Sequence, residues 1–165
     1  MKSRKIAMYG LLIALAFVLS YLESLIPVFI AVPGVKLGLT NLVVLIAFVR
    51  LGKKDAFIIN VIRILLVGFT FGNTYSLLYS LAGGILSYLA MLLLWKRKSF
   101  SLLGVSVAGG VCHNIGQILV AMTVLETGAL IYYLPILMIS GTIAGILVGI
   151  LCKEVIKRLP RNLDS

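Results

Sequence analysis

Charged residues, prolines and glycine-containing turns divide the chain into six runs of apolar residues. The runs cover residues 6–22, 37–49, 56–71, 75–95, 102–125 and 130–151. Glu23 and Pro27 close the first, and Arg50, Gly52, Lys53, Lys54 and Asp55 close the second. Gly72 and Asn73 form a tight turn after the third, and Lys96, Arg97 and Lys98 end the fourth. A helix that crosses the hydrocarbon core needs about 20 apolar residues, so the pattern predicts a bundle of membrane-spanning helices. The second and third runs are shorter than about 17 residues. They either span with help from tilt and flanking residues or form one re-entrant pair.

Composition strengthens the membrane assignment. The chain is 61% hydrophobic and 12% charged, with a mean hydropathy of +1.15. Soluble domains hold roughly 45–50% apolar and about 25% charged residues, and a fold of this length could not hide the excess. The expected architecture is therefore all-α and integral to the membrane: a six-helix bundle forming a single membrane domain over residues 1–165. Residues 1–20 have the basic start and apolar body of a signal peptide. The stretch after them offers no small-residue cleavage site, so they read as a retained first helix. Cys112 and Cys152 lie far apart inside apolar runs and read as packing residues, with neither a disulfide framework nor a metal site expected.

The net charge of +10 could indicate a nucleic-acid partner, but its distribution argues otherwise. If all six runs span, thirteen of the fifteen basic residues fall on one side, as short clusters at helix ends. Lys36 alone falls on the other side, and Arg63 lies within a span. By the positive-inside rule both termini are then cytoplasmic, and no nucleic acid is needed to explain the charge.

Small residues four apart mark close helix contacts, because helices in lipid associate through backbone approach and polar side chains. Gly141, Gly145 and Gly149 form such a face in the sixth run. Ser76, Ser80 and Gly84 repeat the spacing in the fourth, with Gly83 and Ser87 on a neighbouring stripe. In the first run, Gly10 and Ala14, then Ala16 and Ser20, could meet a helix of this chain or of a partner.

The polar residues within the spans carry the functional signal. Asn60 and Arg63 share a helix face, as do His113 and Gln117, with Asn114 beside them. At 1.5 Å per residue both groups sit roughly 12–17 Å deep. A buried arginine at that depth needs a counter-ion, a water cavity or a ligand, and no acidic residue lies inside any run. Unless Glu23 reaches inward, an anionic ligand would supply the partner; alternatively Arg63 caps backbone carbonyls freed near Gly68. His113 is either a pocket residue or a hydrogen-bonded bridge between helices. Lys36 is either a solvated loop charge or a residue that meets an entering anion. Tyr75, Tyr79, Trp95, Tyr132 and Tyr133 suit interfacial anchoring, and Tyr79 could turn inward.

Several stretches resemble a known family: the run from Pro33 through Lys36 to Asn41, Asn60-Val-Ile-Arg63, the run from Tyr79 to Gly84, Gly104-Val-Ser, and His113-Asn-Ile-Gly-Gln117. They look like the motifs of small bacterial membrane proteins called the Gx transporter family, also labelled heptaprenyl diphosphate synthase component I. The resemblance covers nearly the whole chain. It implies a relation to the substrate-binding S components of energy-coupling-factor transporters. Those are six-helix proteins of the bacterial cytoplasmic membrane that work with a transmembrane coupling subunit and two cytoplasmic ATPases. It also implies that Gly10, Ala14, Ala16 and Ser20 dock the coupling subunit.

The two family labels differ in the chemistry they require. A prenyl diphosphate synthase holds magnesium through clustered aspartates, and here Asp55 and Asp164 stand alone at distant positions. No GxxxxGK[ST] loop is present, and the single histidine has no carboxylate within the membrane runs to orient it. The sequence thus points to a non-enzymatic subunit without cofactors that binds a small anionic compound. Arg63, Asn60, His113, Asn114, Gln117 and Tyr79 would line its pocket, with Lys36 and Asn41 at the mouth and the loop from Glu23 to Lys36 closing over it. The competing reading is a membrane accessory subunit that tethers an isoprenoid diphosphate. A self-contained ion-driven carrier is disfavoured, because no membrane carboxylate is available to couple protons or sodium.

Overall fold

The computed structural model describes residues 2–25, 38–97 and 99–158. Lys36, and with it the loop from Glu23 to Lys36 beyond residue 25, lies outside the described residues. The described chain forms six α-helices: α1 (Lys2–Leu25), α2 (Leu39–Arg50), α3 (Lys53–Phe71), α4 (Thr74–Lys96), α5 (Leu102–Val124) and α6 (Leu134–Arg158). A short 3-10 helix, Gly128–Tyr133, precedes α6. The sixth apolar run is thus divided. Pro135 falls in the first turn of α6, where its missing N–H breaks no helical bond, and α6 then continues past the apolar run through Lys153 to Arg158.

Four stretches among the described residues are long and apolar enough to cross a membrane: Lys5–Glu23, Thr74–Lys96, Leu102–Val124 and Gly128–Arg158. The protein is therefore membrane-embedded. The two runs that looked short differ from these and from each other. Helix α3 has 19 residues but carries Lys53, Lys54, Asp55 and Arg63. Helix α2 has only 12 residues, about 18 Å at 1.5 Å per residue, well under the roughly 30 Å hydrocarbon core.

Packing explains why α2 can be short. Val43, Val44, Leu45, Ile46, Ala47 and Phe48 are all buried, so this helix is covered on every side. It is the centre of one apolar cluster that includes Leu12 and Ala16 of α1, Ala56 and Ile59 of α3, Tyr88 and Met91 of α4, Val105 of α5, and Val148 and Cys152 of α6. Gly52, at φ 99°, turns the chain from α2 into α3 in a conformation that glycine adopts without strain. Asn73 accepts from the Ser76 N–H while Ser76 Oγ accepts from the Asn73 N–H, a capping box that starts α4.

The small-residue faces make the closest contacts. A Cβ on Gly145 would stand 2.6 Å from Val107 Cα, and one on Gly149 would stand 3.2 Å from Leu103 Cα, so this stripe of α6 packs directly on the α5 backbone. Ser106 Oγ donates to the Gly145 carbonyl at 2.7 Å across the same interface. Gly83 and Gly116 bring α4 and α5 together in the same way: a Cβ on either would meet the opposing backbone at under 3 Å.

One end of the bundle gathers the basic residues. Lys5 of α1 pairs with Asp55 of α3 at 2.7 Å. Arg50, at the end of α2, donates to the Ile156 carbonyl at 2.6 Å and so caps the last turn of α6. Tyr88 donates to the Lys53 carbonyl at 2.6 Å, and Trp95 packs edge-on against Phe48. Trp95 therefore serves the core as well as any interface. Tyr75, Tyr132 and Tyr133 are exposed aromatics at the opposite end.

Candidate functional site

Between the helices, towards the end away from the basic clusters, lies a cavity of about 220 Å³. Its lining draws on all six helices: α1, α3, α4, α5 and α6 each contribute, and α2 adds Thr40 and Asn41 from its first turn, with Gly38 just before it. Arg63 reaches the cavity from α3, and His113, Asn114 and Gln117 reach it from α5. The fixed spacing of three and four residues on these helices turns each set onto one face, which is why the two groups meet.

Arg63 is only 6% exposed. Among the described residues it donates through Nε to Asn60 Oδ1 at 3.1 Å and through Nη2 to Asn41 Oδ1 at 3.1 Å. These are amide oxygens and not the backbone carbonyls near Gly68. Asn60 itself is 2% exposed, and its Nδ2 donates to the Gly84 carbonyl at 3.1 Å. It does not line the cavity; it stands behind Arg63 and ties α3 to α4. Since a guanidinium has five N–H groups, these two bonds fix its plane and leave further donors for the cavity.

Asn114 Nδ2 donates to the Leu137 carbonyl at 2.7 Å and to Ser140 Oγ at 3.3 Å, so the residue both lines the cavity and joins α5 to α6. His113 lines the cavity while its backbone carbonyl lies against Gly83. Asn41 lines the cavity and accepts from Arg63 Nη2. Tyr79 is half-buried on α4 and is not part of the lining, which on that helix is Ser76 and Ser80.

Glu23 is the residue that changes the picture. Helix α1 extends two residues past Glu23 to Leu25, and Glu23 is 8% exposed and lines the cavity with Arg63. Its Oε1 accepts the Gly38 N–H, and its charge acts on Arg63. Glu23 thus does reach inward, the one condition under which Arg63 has an acidic residue near it. The signal was present in the sequence, because Leu12, Ala16 and Glu23 fall on one helical stripe and all three are buried. Ending the first run at residue 22 put Glu23 outside.

The residues of α1 expected to dock a partner divide between two faces. Gly10 and Ala14 are exposed, and nothing lies within 4 Å of a Cβ built on Gly10. Ala16 is fully buried against the core and Ser20 lines the cavity. A shift of six residues from 10 to 16 rotates the stripe by about 240°, so the two pairs cannot face the same neighbour. Among the described residues, no three of His, Cys, Asp and Glu gather closely enough to hold a metal ion. Both cysteines are free thiols.

Residues 12–155 match the family model described as heptaprenyl diphosphate synthase component I. The chain belongs to that family. No curated protein and no solved structure matches it. The match to heptaprenyl diphosphate synthase component I takes in every described cavity residue, from Ser20 on α1 to Ala144 on α6.

Proposed function

We propose that this protein is a non-enzymatic, substrate-binding subunit of an energy-coupling-factor-type uptake transporter, binding a small compound with an anionic group. The observation that carries the reading is Arg63, held by Asn60 and Asn41 at the wall of a cavity inside a membrane bundle. A cation at that depth costs about 2.5–3.5 kcal/mol of insertion free energy, and a ligand that uses it offsets the cost. In this reading all six helices cross the bacterial cytoplasmic membrane, with both termini and the basic end of the bundle in the cytoplasm. The cavity then opens outward. A transmembrane coupling subunit and cytoplasmic ATPases would drive release inward, and the exposed Gly10 and Ala14 face of α1 is available to meet the former.

The competing reading, a membrane accessory subunit for a prenyl diphosphate synthase, draws on the family description. Cavity size favours the small ligand. A volume of about 220 Å³ equals about seven water volumes, enough for a compact molecule or a diphosphate head but not for a long prenyl chain. Purification in mild detergent, followed by mass spectrometry of retained small molecules and of copurifying proteins, separates the two. Copurified ATPase subunits support the transporter, and a soluble prenyl synthase supports the accessory reading. Arg63→Ala should yield a folded protein that no longer retains the compound. Retention equal to the native chain would sink the role assigned to Arg63.

A further inference from the structure

A second, smaller compartment of about 20 Å³ adjoins the inner end of the cavity. The two share Gly38, Asn41, Gly110 and Ala144, so they meet at a common neck. On α4 the smaller compartment is lined by Ser87 and Met91 where the cavity has Ser76 and Ser80, and on α6 by Val148 where the cavity has Gly141. It therefore continues the cavity by a turn or more towards the basic end of the bundle. Its floor is apolar: Leu45, Met91 and Val148 are buried and line this compartment alone. Of its polar side chains, Asn41 accepts from Arg63, and Ser106 donates to the Gly145 carbonyl.

From this we infer that the ligand carries a slender apolar end that passes Asn41 into the inner compartment while its anionic group is held at Arg63. This rests on the binding-subunit reading above and narrows its substrate class to an anion with a short, unbranched apolar tail. Protein interiors are close-packed, with few voids as large as a water molecule, yet this one opens onto the site. Its volume of about 20 Å³ exceeds the roughly 10–15 Å³ that one water-sized group needs. A water would require two to four polar partners, whereas a methyl group gains by leaving water for the apolar floor. Two methyl groups side by side exceed the space, so a branched end, such as that of a prenyl chain, does not enter. Gly109 keeps the compartment open. A Cβ there would stand 3.0 Å from Met91 Cγ, 3.1 Å from Met91 Sδ and 3.2 Å from Ser87 Oγ.

Straight-chain carboxylates from acetate to hexanoate test this on the detergent-purified full chain, with the thermal unfolding midpoint followed as each is titrated. Each methylene that reaches the compartment should lower the half-maximal concentration by about fourfold, until the space is full and the gain stops. Two variants alter the inner compartment without touching the anion site. Gly109→Ala fills it, and the methyl meets the flexible end of Met91, so the chain should fold. Val148→Ala enlarges it from the floor. The gain should stop at least one carbon earlier in G109A and at least one carbon later in V148A, with acetate unchanged in both. The two variants act in opposite directions, so either one alone decides the matter. If the dependence on chain length is the same in the native chain and the variants, the inner subsite is overturned while the anion site at Arg63 stands. If no carboxylate shifts the midpoint in any of the three chains, the subsite and the binding reading fail together.

Discussion

Replacing Gly145 with alanine tests how tightly the cavity wall formed by α5 and α6 is set. The added Cβ would lie 2.6 Å from Val107 Cα, 2.9 Å from the Ser106 carbonyl oxygen and 3.1 Å from Val107 N. All three are backbone atoms, so no side chain can rotate away. Reaching an ordinary 3.4 Å contact requires the helices to part locally by about 0.8 Å. That movement stretches the 2.7 Å bond from Ser106 Oγ to the Gly145 carbonyl to the edge of hydrogen-bonding distance. Overpacking costs about 1–3 kcal/mol, and an interhelical hydrogen bond within a membrane protein averages about 0.6 kcal/mol. The combined destabilisation is therefore roughly 1.5–3.5 kcal/mol. Gly10→Ala is the matched control, since the same methyl there meets nothing within 4 Å. Equilibrium unfolding in mixed detergent should separate the two variants by that amount. Equal midpoints, within about 0.5 kcal/mol, would refute the claim that glycine sets the α5 to α6 distance.

Three further outcomes follow from other contacts. Arg50→Gln removes the guanidinium that caps the Ile156 carbonyl at 2.6 Å, and should lower stability by about 1–2 kcal/mol in the same unfolding assay, with loosening of α6 seen first by amide exchange after Val148. Asp55 lies ahead of the apolar run of α3; partial burial alone would raise its pKa, but hydrogen bonds from Lys5 and Tyr9 and the charge of Lys5 outweigh it and hold the carboxyl below its usual range. Its contribution to stability is thus complete above the ordinary value of about 3.9 and is lost as pH falls through the lower folded value, so the melting difference between the native chain and Asp55→Asn should shrink only below about pH 4. Gly10→Leu with Ala14→Leu should leave the isolated subunit's melting unchanged, because both positions are exposed, and should abolish copurification of the coupling subunit; intact copurification would remove this face from the docking proposal.

Much of the fold was legible because lipid leaves the chain few options. Backbone groups must be satisfied within helices, so apolar runs and their polar ends locate the helices to within a few residues, and the capping box at Asn73 confirms one such boundary from local chemistry. The stripe of Gly141, Gly145 and Gly149 could be read for the same reason, since close approach needs small residues at a fixed spacing. What could not be read was which neighbour each face meets. Gly10 and Ala14 share their spacing with Ala16 and Ser20, yet one pair faces outward and the other inward. Spacing is a property of one helix, whereas its neighbour is a property of the whole bundle. Tyr79 lies outside the cavity lining for the same reason, and Asn60 holds Arg63 from behind.

Helix α2 shows how the short run and the site are connected. At about 18 Å the twelve-residue helix is shorter than the hydrocarbon core, and its first turn, with Gly38 before it, delivers Gly38, Thr40 and Asn41 to the cavity wall. That places Asn41 within reach of Arg63 and the Gly38 N–H within reach of Glu23. The short second run therefore contributes its first turn to the cavity wall and the rest of its length to the apolar core. Glu23 and Arg63 are both anchored there: the carboxylate accepts the Gly38 N–H and the guanidinium donates to Asn41 in the first turn of α2, so that short helix is the fixed point from which both charges are set.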